Sequence, residues 1–238
     1  PGQLPPIRGE GAFTRDELVR RLGADPTRIR VIHNGIAGRY RIDDDPEATR
    51  GTLAGLGIEG PFVLYVGNVK PHKNVVGLIR AFEALEVADC TLVIAGERAG
   101  FRVADPEVEL AIDRSPVRDR IRATGRVTDD QLLALYRGAR VLAMPSLYEG
   151  FGLPVAEAMA CGTPVVSSDR ASLPEVAGDA ALLTDPTDPA GFAHQLRRAI
   201  DDEELRSQLI AQGLERAQAF RWADSAAAHV DVYREVVG

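Results

Sequence analysis

The chain has 238 residues, of which 45% are hydrophobic, 26% charged and 5% aromatic, as is typical of a folded protein with one large domain or one and a half. Its formal net charge of −7 argues against a protein held to nucleic acid or to an anionic membrane by its overall field. Cys90 and Cys161, the only cysteines, are too far apart in sequence to indicate a metal site or a disulfide framework. We therefore expect a cytoplasmic protein, with neither a metal site nor an evident membrane association. The start at Pro1, without an initiator methionine, we interpret as a fragment or a processed product.

The elements alternate along the chain after a lead that is rich in proline and glycine. Thr14 is predicted to cap a helix ending at Leu22, and residues 28–33 alternate like a strand. Short, β-branched or fully apolar runs predict strands covered on both faces at residues 62–66, 91–95, 120–123, 141–144, 165–167 and 181–183. Helical patterns cover residues 74–85, about 103–112, 129–137, 154–161, 189–200, 203–220 and 222–237. This order predicts an α/β fold with a doubly wound, Rossmann-like parallel sheet, whose ligands lie beyond the carboxyl ends of the strands.

Both lysines of the chain, Lys70 and Lys73, lie in one predicted loop, VGNVKPHKN. A buried strand is expected to end at Gly67, and Asn74 is expected to cap the following helix. Cations beside the amino end of a helix are a common way for α/β proteins to bind phosphate. A solvated turn with two surface lysines is the alternative.

A second loop, PSLYEGFGLPVAEAMACGTPVV, follows the predicted strand at 141–144. Gly150 and Gly152 allow a ligand to approach the backbone, and Pro154 suits the first position of a helix. Glu149, before the turn, and Glu157, predicted in the first helical turn, could each accept hydrogen bonds from a sugar diol. The alternative is that Glu157 complements the helix dipole and that Glu149 is a surface acid.

Paired carboxylates also occur in glycoside hydrolases, but that hypothesis leaves the lysine loop and the glycine turn without a role. A nucleotide diphosphate sugar needs both cations and hydroxyl acceptors, so it explains both loops. A hydride-transfer function is disfavoured because Gly150-Phe151-Gly152 lacks the third small residue of a dinucleotide fingerprint. His33 stands isolated in the sequence.

Three segments resemble the retaining glycosyltransferases of family 4, which have the two-domain GT-B architecture: GNVKPHKN, TGRVTDDQLLALYRGA and PSLYEGFGLPVAEAMACGTPVVSSDRASLPEVAGDAALLTDP. The similarity spans roughly residues 31–200 and centres on the family's Glu-x7-Glu motif, here Glu149 and Glu157. It implies that this chain is the carboxyl-terminal, donor-binding half of a GT-B enzyme. The amino-terminal, acceptor-binding half would then be missing.

The resemblance also implies roles for individual residues. Glu149 and the glycine turn would contact the donor sugar, Glu157 the ribose, and Lys73 the diphosphate, while the base would lie against residues 125–127. Lys73 and Glu149 are the expected catalytic residues. The expected donor-binding set is Gly67, Asn68, Lys70, Lys73, Arg126, Val127, Glu149, Gly150, Phe151, Gly152, Leu153 and Glu157. Asn68 stands where the family often has an arginine, so Lys70 or His72 would have to supply that charge.

The implied reaction is transfer of mannose or a similar hexose from a GDP- or UDP-linked donor, with retention and with neither a cofactor nor a metal. The acceptor, whether glycan, lipid or small molecule, is not indicated. Residues 1–11 would be a flexible lead, 12–28 a remnant of the missing domain or a hinge, 29–220 the donor domain and 221–238 a crossing helix. A membrane contact would come only through the missing domain. The alternatives are a nucleotide-sugar binding or interaction module without activity of its own, and a nucleotide-sugar epimerase or hydrolase.

Overall fold

The computed structural model describes residues 7–42, 44–87, 89–96 and 106–237. Its strands are β1 (Ile7–Gly9), β2 (Ile29–Val31), β3 (Phe62–Val66), β4 (Thr91–Ala95), β5 (Ile121–Gly125), β6 (Val141–Met144), β7 (Val165–Ser168) and β8 (Leu182–Thr184). Strands β1 and β2 form a small parallel pair. The other six form one parallel sheet in the order β5-β4-β3-β6-β7-β8. The predicted doubly wound, Rossmann-like parallel sheet is therefore confirmed.

The helices enclose both faces of this sheet. They are α1 (Ala12–Leu22), α2 (Pro46–Gly55), α3 (Val75–Glu83), α4 (Pro106–Arg114), α5 (Asp129–Gly138), α6 (Leu153–Ala160), α7 (Leu173–Ala177), α8 (Pro189–Asp201), α9 (Glu203–Ala217) and α10 (Trp222–Val237). None of them, within the described ranges, is long and apolar enough to cross a membrane.

Alternate side chains of the buried strands feed two hydrophobic cores. In β3, Phe62 and Leu64 pack into the core beneath α2, α5 and α6, whereas Val63 and Tyr65 pack into the core beneath α3 and α8. All four side chains are at most 1% exposed. Because both faces of the strand are covered, it reads as one continuous apolar run instead of an alternating one.

The sheet reverses its winding direction between β3 and β6. From β3 the chain proceeds to β4 and β5 on one side, and from β6 to β7 and β8 on the other. In open α/β sheets this reversal leaves a crevice beyond the carboxyl ends of the two central strands. The lysine loop follows β3 and the glycine turn follows β6, so the topology brings the two predicted loops to the same place.

The amino-terminal part differs from the sequence-based prediction. Helix α1 begins at Ala12 after Gly11, so Thr14 is not its cap, because a carboxylate far away in the sequence takes over that role. Residues 7–9, predicted to lie in a flexible lead, form β1. Helix α2 was not predicted, although Asp45 caps it by accepting a hydrogen bond from the Ala48 N–H at 3.0 Å.

Other helix bounds shift by a few residues. Helix α6 begins at Leu153, so Pro154 is its second residue, and the predicted 203–220 helix ends at Ala217. Residues 103–105 of the predicted 103–112 helix lie outside the described residues, and α4 begins at Pro106.

Candidate functional site

The lysine loop and the glycine turn meet through an ion pair. The Lys73 ammonium donates to Glu149 Oε1 at 2.6 Å, and the Ser146 hydroxyl donates to the same oxygen at 2.8 Å. The side chains of Lys73 and Glu149 are only 18% and 9% exposed. Glu149 is therefore not a surface acid, and Lys73 is not a freely solvated lysine.

Within the described residues, both contacts to the Glu149 carboxylate involve Oε1. Its second oxygen, Oε2, accepts no hydrogen bond from the described residues, so it can accept one from a ligand. A partly buried ammonium and carboxylate at the switch point can together meet a ligand that carries both phosphate and hydroxyl groups.

The two other basic residues of the lysine loop, Lys70 and His72, differ from Lys73. Lys70 and His72 are exposed, and His72 directly precedes Lys73 in a short 3-10 turn, Pro71–Lys73. Although His72 is exposed, the protein around it removes part of its hydration, and this desolvation together with the neighbouring Lys73 charge holds the pKa of His72 below its usual range, so the imidazole is neutral near pH 7. His72 therefore does not supply the charge that Asn68 lacks, and Lys70 is the remaining cation of this loop.

Asn74 connects the lysine loop to two other strand ends. Asn74 is the N-cap residue of α3, as predicted, but its side chain does not bond to the helix: the Asn74 amide donates to the carbonyl oxygens of Pro145 at 3.2 Å and Pro186 at 2.7 Å. Its backbone is left-handed, with φ 54°, a conformation that asparagine tolerates better than most residues. These contacts hold the loop against the segments that follow β6 and β8.

The start of α7 packs against one side of the glycine turn. The Ser172 hydroxyl lies 3.0 Å from the carbonyl oxygen of Glu149 and 2.9 Å from that of Phe151, and it is buried. Gly152 has φ 103°, and a β-carbon there would lie 2.7 Å from a Leu173 methyl group. Gly150 is exposed, so the backbone of the turn is open to a ligand from the other side.

Glu157 lies apart from the ion pair, against α5. It is in the second turn of α6, not the first, so it does not act as a dipole-complementing residue at the helix start. The fully buried Tyr136 donates its hydroxyl to Glu157 Oε2 at 2.8 Å. Burial raises the pKa of Glu157 above its usual range, and hydrogen bonds from Tyr136 and Tyr40 offset part of that shift. Burial and the Glu157 charge also raise the pKa of Tyr40 to about 12.

The segment expected to lie against the base begins at the end of β5, an edge strand two positions from β3. Gly67 donates to the Ala95 carbonyl at 3.0 Å, and Gly96 to that of Gly125 at 3.0 Å, so the ends of β3, β4 and β5 are aligned. Arg126 is exposed and Val127 half-buried at this edge. The sheet thus brings Arg126 and Val127 to the same end as Lys73, beyond the carboxyl ends of the strands. Within the described residues, no hydrogen bond or ion pair joins either of them to Lys73.

Glu175 of α7 is a structural residue that sequence reasoning missed. Its carboxylate accepts hydrogen bonds from the backbone N–H groups of Ala12 at 2.8 Å and Phe13 at 3.2 Å, and contacts His33 Nε2 at 2.8 Å. His33, isolated in the sequence, also lies 5.8 Å from the Phe151 ring. These contacts hold the start of α1 and the segment after β2 against α7 and the glycine turn. No local pattern could reveal the contacts of Glu175, because its partners are more than 140 positions away in the sequence.

Glu175→Ala is expected to lower the free energy of unfolding by about 1–2 kcal/mol at neutral pH, because it leaves the amino end of α1 uncapped. Burial tends to raise the pKa of Glu175, but the N–H groups and His33 lower it overall. A carboxyl whose pKa is lowered in the folded state stabilises above its unfolded pKa, and this contribution is lost as the pH falls through the folded pKa. Urea unfolding at neutral and acidic pH should show the deficit shrinking on acidification. Asp179→Ala, at an exposed acid on the same segment, should change little.

The chain is similar to known enzymes that transfer sugars. The family described as "Glycosyl transferases group 1" matches residues 55–216. O-antigen chain mannosyltransferase B of Escherichia coli is 36% identical over 176 residues, which cover 73% of this chain and 45% of that protein. A D-inositol 3-phosphate glycosyltransferase of Streptomyces bingchenggensis is 36% identical over 93% of this chain and 51% of its own length. The chain thus spans about half the length of these curated relatives.

Solved structures of glycosyltransferases have the same fold as this chain. Sucrose-phosphate synthase of Thermosynechococcus elongatus superposes with a TM-score of 0.84 and 27% identity, covering 97% of this chain and 58% of that one. Anabaena HepE, solved in complex with UDP-glucose, shares the fold with a TM-score of 0.85 at 19% identity, covering 98% of this chain and 63% of that one. The family matches residues 55–216, and a relative that is 36% identical aligns with 93% of this chain. The chain therefore belongs to the group 1 glycosyl transferases.

Proposed function

We propose that this chain is the donor-binding half of a retaining hexosyltransferase of the family 4 type, which uses a nucleotide diphosphate sugar. The observation that carries the proposal is the partly buried Lys73–Glu149 pair at the switch point of the sheet. The lysine would bind the diphosphate, and Oε2 of Glu149 would accept a hydrogen bond from a hydroxyl of the sugar. One nucleotide diphosphate sugar would thus contact both Lys73 and Glu149.

In the proposed reaction, negative charge develops on the departing diphosphate. Lys73 and the amino end of α6, which opens at the glycine turn, would stabilise that charge, and preorganised contacts of this kind usually contribute more to catalysis than any other single effect. The departing phosphate would accept the proton of the acceptor hydroxyl, so the chain itself needs no general base. Retention follows if the acceptor attacks on the face that the diphosphate leaves.

The donor sugar is proposed to be mannose or a similar hexose. One relative is named a mannosyltransferase, another is named for a different glycosyl transfer, and a protein of the same fold holds UDP-glucose. The residues that bind the acceptor would belong to a domain outside this chain. The enzyme would act in the cytoplasm, or at a membrane surface through that domain.

Calorimetric titration with GDP-mannose, UDP-glucose and UDP-N-acetylglucosamine tests the proposal directly. We expect one of these donors to bind clearly more tightly than the others. Absence of binding to any nucleotide would overturn the proposal. Release of free hexose from a donor without any acceptor would instead favour a nucleotide-sugar hydrolase.

Glu157 is proposed to bind the ribose hydroxyls, and its raised pKa makes that role testable by pH. Protonation removes the charge of the carboxylate and turns one of its two acceptor oxygens into a donor, so nucleotide affinity should fall as the pH drops through the raised pKa, at a higher pH than for an ordinary carboxyl. Glu157→Gln should weaken nucleosides and nucleoside diphosphates alike, by about 1–2 kcal/mol, and should remove this pH dependence. Calorimetry across pH measures both effects.

Tyr136→Phe is the matched control for the role of Glu157. It removes a hydroxyl that stabilises the charged carboxylate, so the midpoint of the pH dependence should move to higher pH. Equal affinity of the unmutated protein for 2′-deoxynucleotides and ribonucleotides would contradict the role assigned to Glu157.

A further inference from the structure

Glu10 is a carboxylate at the candidate site that neither the sequence motifs nor the family resemblance includes. It lies between β1 and α1, in the part of the chain predicted to be a flexible lead. Its Oε2 is 3.5 Å from the position that a β-carbon on Gly150 would occupy. Glu10 therefore borders the exposed backbone of the glycine turn, on the side left open by the missing side chain of Gly150.

The position of Glu10 is set by several contacts of the residues that follow it. The Thr14 hydroxyl donates to the Gly150 carbonyl at 3.3 Å, and the Phe13 ring lies edge-on to Tyr148 at 5.4 Å. The carboxylate of Glu175 holds the start of α1 through the N–H groups of Ala12 and Phe13. This anchoring limits how far Glu10 can move from the turn.

The Glu10 carboxylate is half-buried and makes no hydrogen bond or ion pair within the part of the chain that the structure describes. An ionised carboxylate offers two acceptor oxygens and no donor. It would repel a diphosphate, whereas Lys73 attracts one. A neutral group rich in hydroxyls, on the sugar side of the donor, is the ligand that suits this position.

We propose that Glu10 accepts a hydrogen bond from a hydroxyl of the donor hexose and so helps to select the sugar. The inference rests on the proposed function. The hexose would lie over the glycine turn, with Glu149 and Glu10 as acceptors for different hydroxyls. Because Glu10 precedes α1, the segment that enters the donor domain would contribute to sugar recognition.

Calorimetry on Glu10→Gln tests the proposal with the donor that the unmutated chain prefers and with the matching nucleoside diphosphate. The variant should bind the nucleotide sugar about tenfold more weakly, because a charged acceptor becomes a single neutral one. Its affinity for the nucleoside diphosphate should change less than about twofold. Asp16→Asn, at an exposed acid of α1, is the matched control and should bind both ligands normally.

Donors that each lack one hexose hydroxyl distinguish a direct contact from a merely structural role of Glu10, because only a direct contact makes the effect of the substitution depend on which hydroxyl is missing. One deoxy donor should bind the unmutated chain and Glu10→Gln equally, because it lacks the contacted hydroxyl. Unchanged nucleotide-sugar affinity in Glu10→Gln, or an equal loss for the nucleoside diphosphate, would overturn this inference alone. If the unmutated chain binds no nucleotide, the proposed function fails, and this inference fails with it.

Discussion

Replacing Lys73 by alanine is expected to weaken nucleoside diphosphates far more than nucleosides. A charge-assisted contact to phosphate is worth about 1.5–3 kcal/mol, and a nucleoside never makes it. The structure adds a second effect, because the substitution leaves the Glu149 carboxylate, 9% exposed, without its ammonium partner. That uncompensated charge would repel the diphosphate further. Calorimetry with a nucleoside and its diphosphate on the same preparation measures the difference.

Two variants separate the causes of this loss. Lys70→Ala removes the exposed lysine of the same loop and should have a smaller effect than Lys73→Ala. The double variant Lys73→Ala/Glu149→Gln removes the repulsion along with the attraction, so it should bind a nucleoside diphosphate better than Lys73→Ala alone. An equal loss in Lys70→Ala would mean that the loop acts as a general patch of positive charge.

Gly96→Ala is expected to have the largest effect on stability. Gly96 follows β4 with φ 154°, and a β-carbon there would lie 2.0 Å from the Gly67 carbonyl oxygen. The neighbouring backbone cannot yield as a flexible side chain would, so the free energy of unfolding should fall by about 3 kcal/mol or more. Urea unfolding measures this loss. Because Gly67 begins the lysine loop, any protein that does fold should also bind donor more weakly.

Gly51→Ala in α2 is the matched control for Gly96→Ala. Nothing lies within 4 Å of a β-carbon at Gly51, and alanine is favoured over glycine inside a helix by about 1 kcal/mol. This variant should therefore be as stable as the unmutated chain or slightly more stable. Unchanged stability in Gly96→Ala would show that the β3 and β4 ends are not packed as closely as the structure places them.

Several central elements were predictable because their signals are local. Residues 62–66, 91–95 and 141–144 were predicted as strands with the bounds that β3, β4 and β6 have. A strand covered on both faces must be apolar throughout, and this pattern can be read within five residues. The alternation of such runs with helical patterns predicted the doubly wound sheet, and with it the edge where the two loops lie.

The tertiary structure alone decided how the loops are joined. Lys73 and Glu149 are 76 positions apart, so their ion pair depends on β3 and β6 lying side by side. Glu175 reaches the start of α1 across 163 positions, directly after residues 7–11, the described part of what composition suggested was a flexible lead. Periodicity and capping patterns extend over a few residues, whereas these contacts exist only after distant segments pack together. The sequence by itself thus determined the sheet and the chemistry of each loop, and only packing decided which side chains meet.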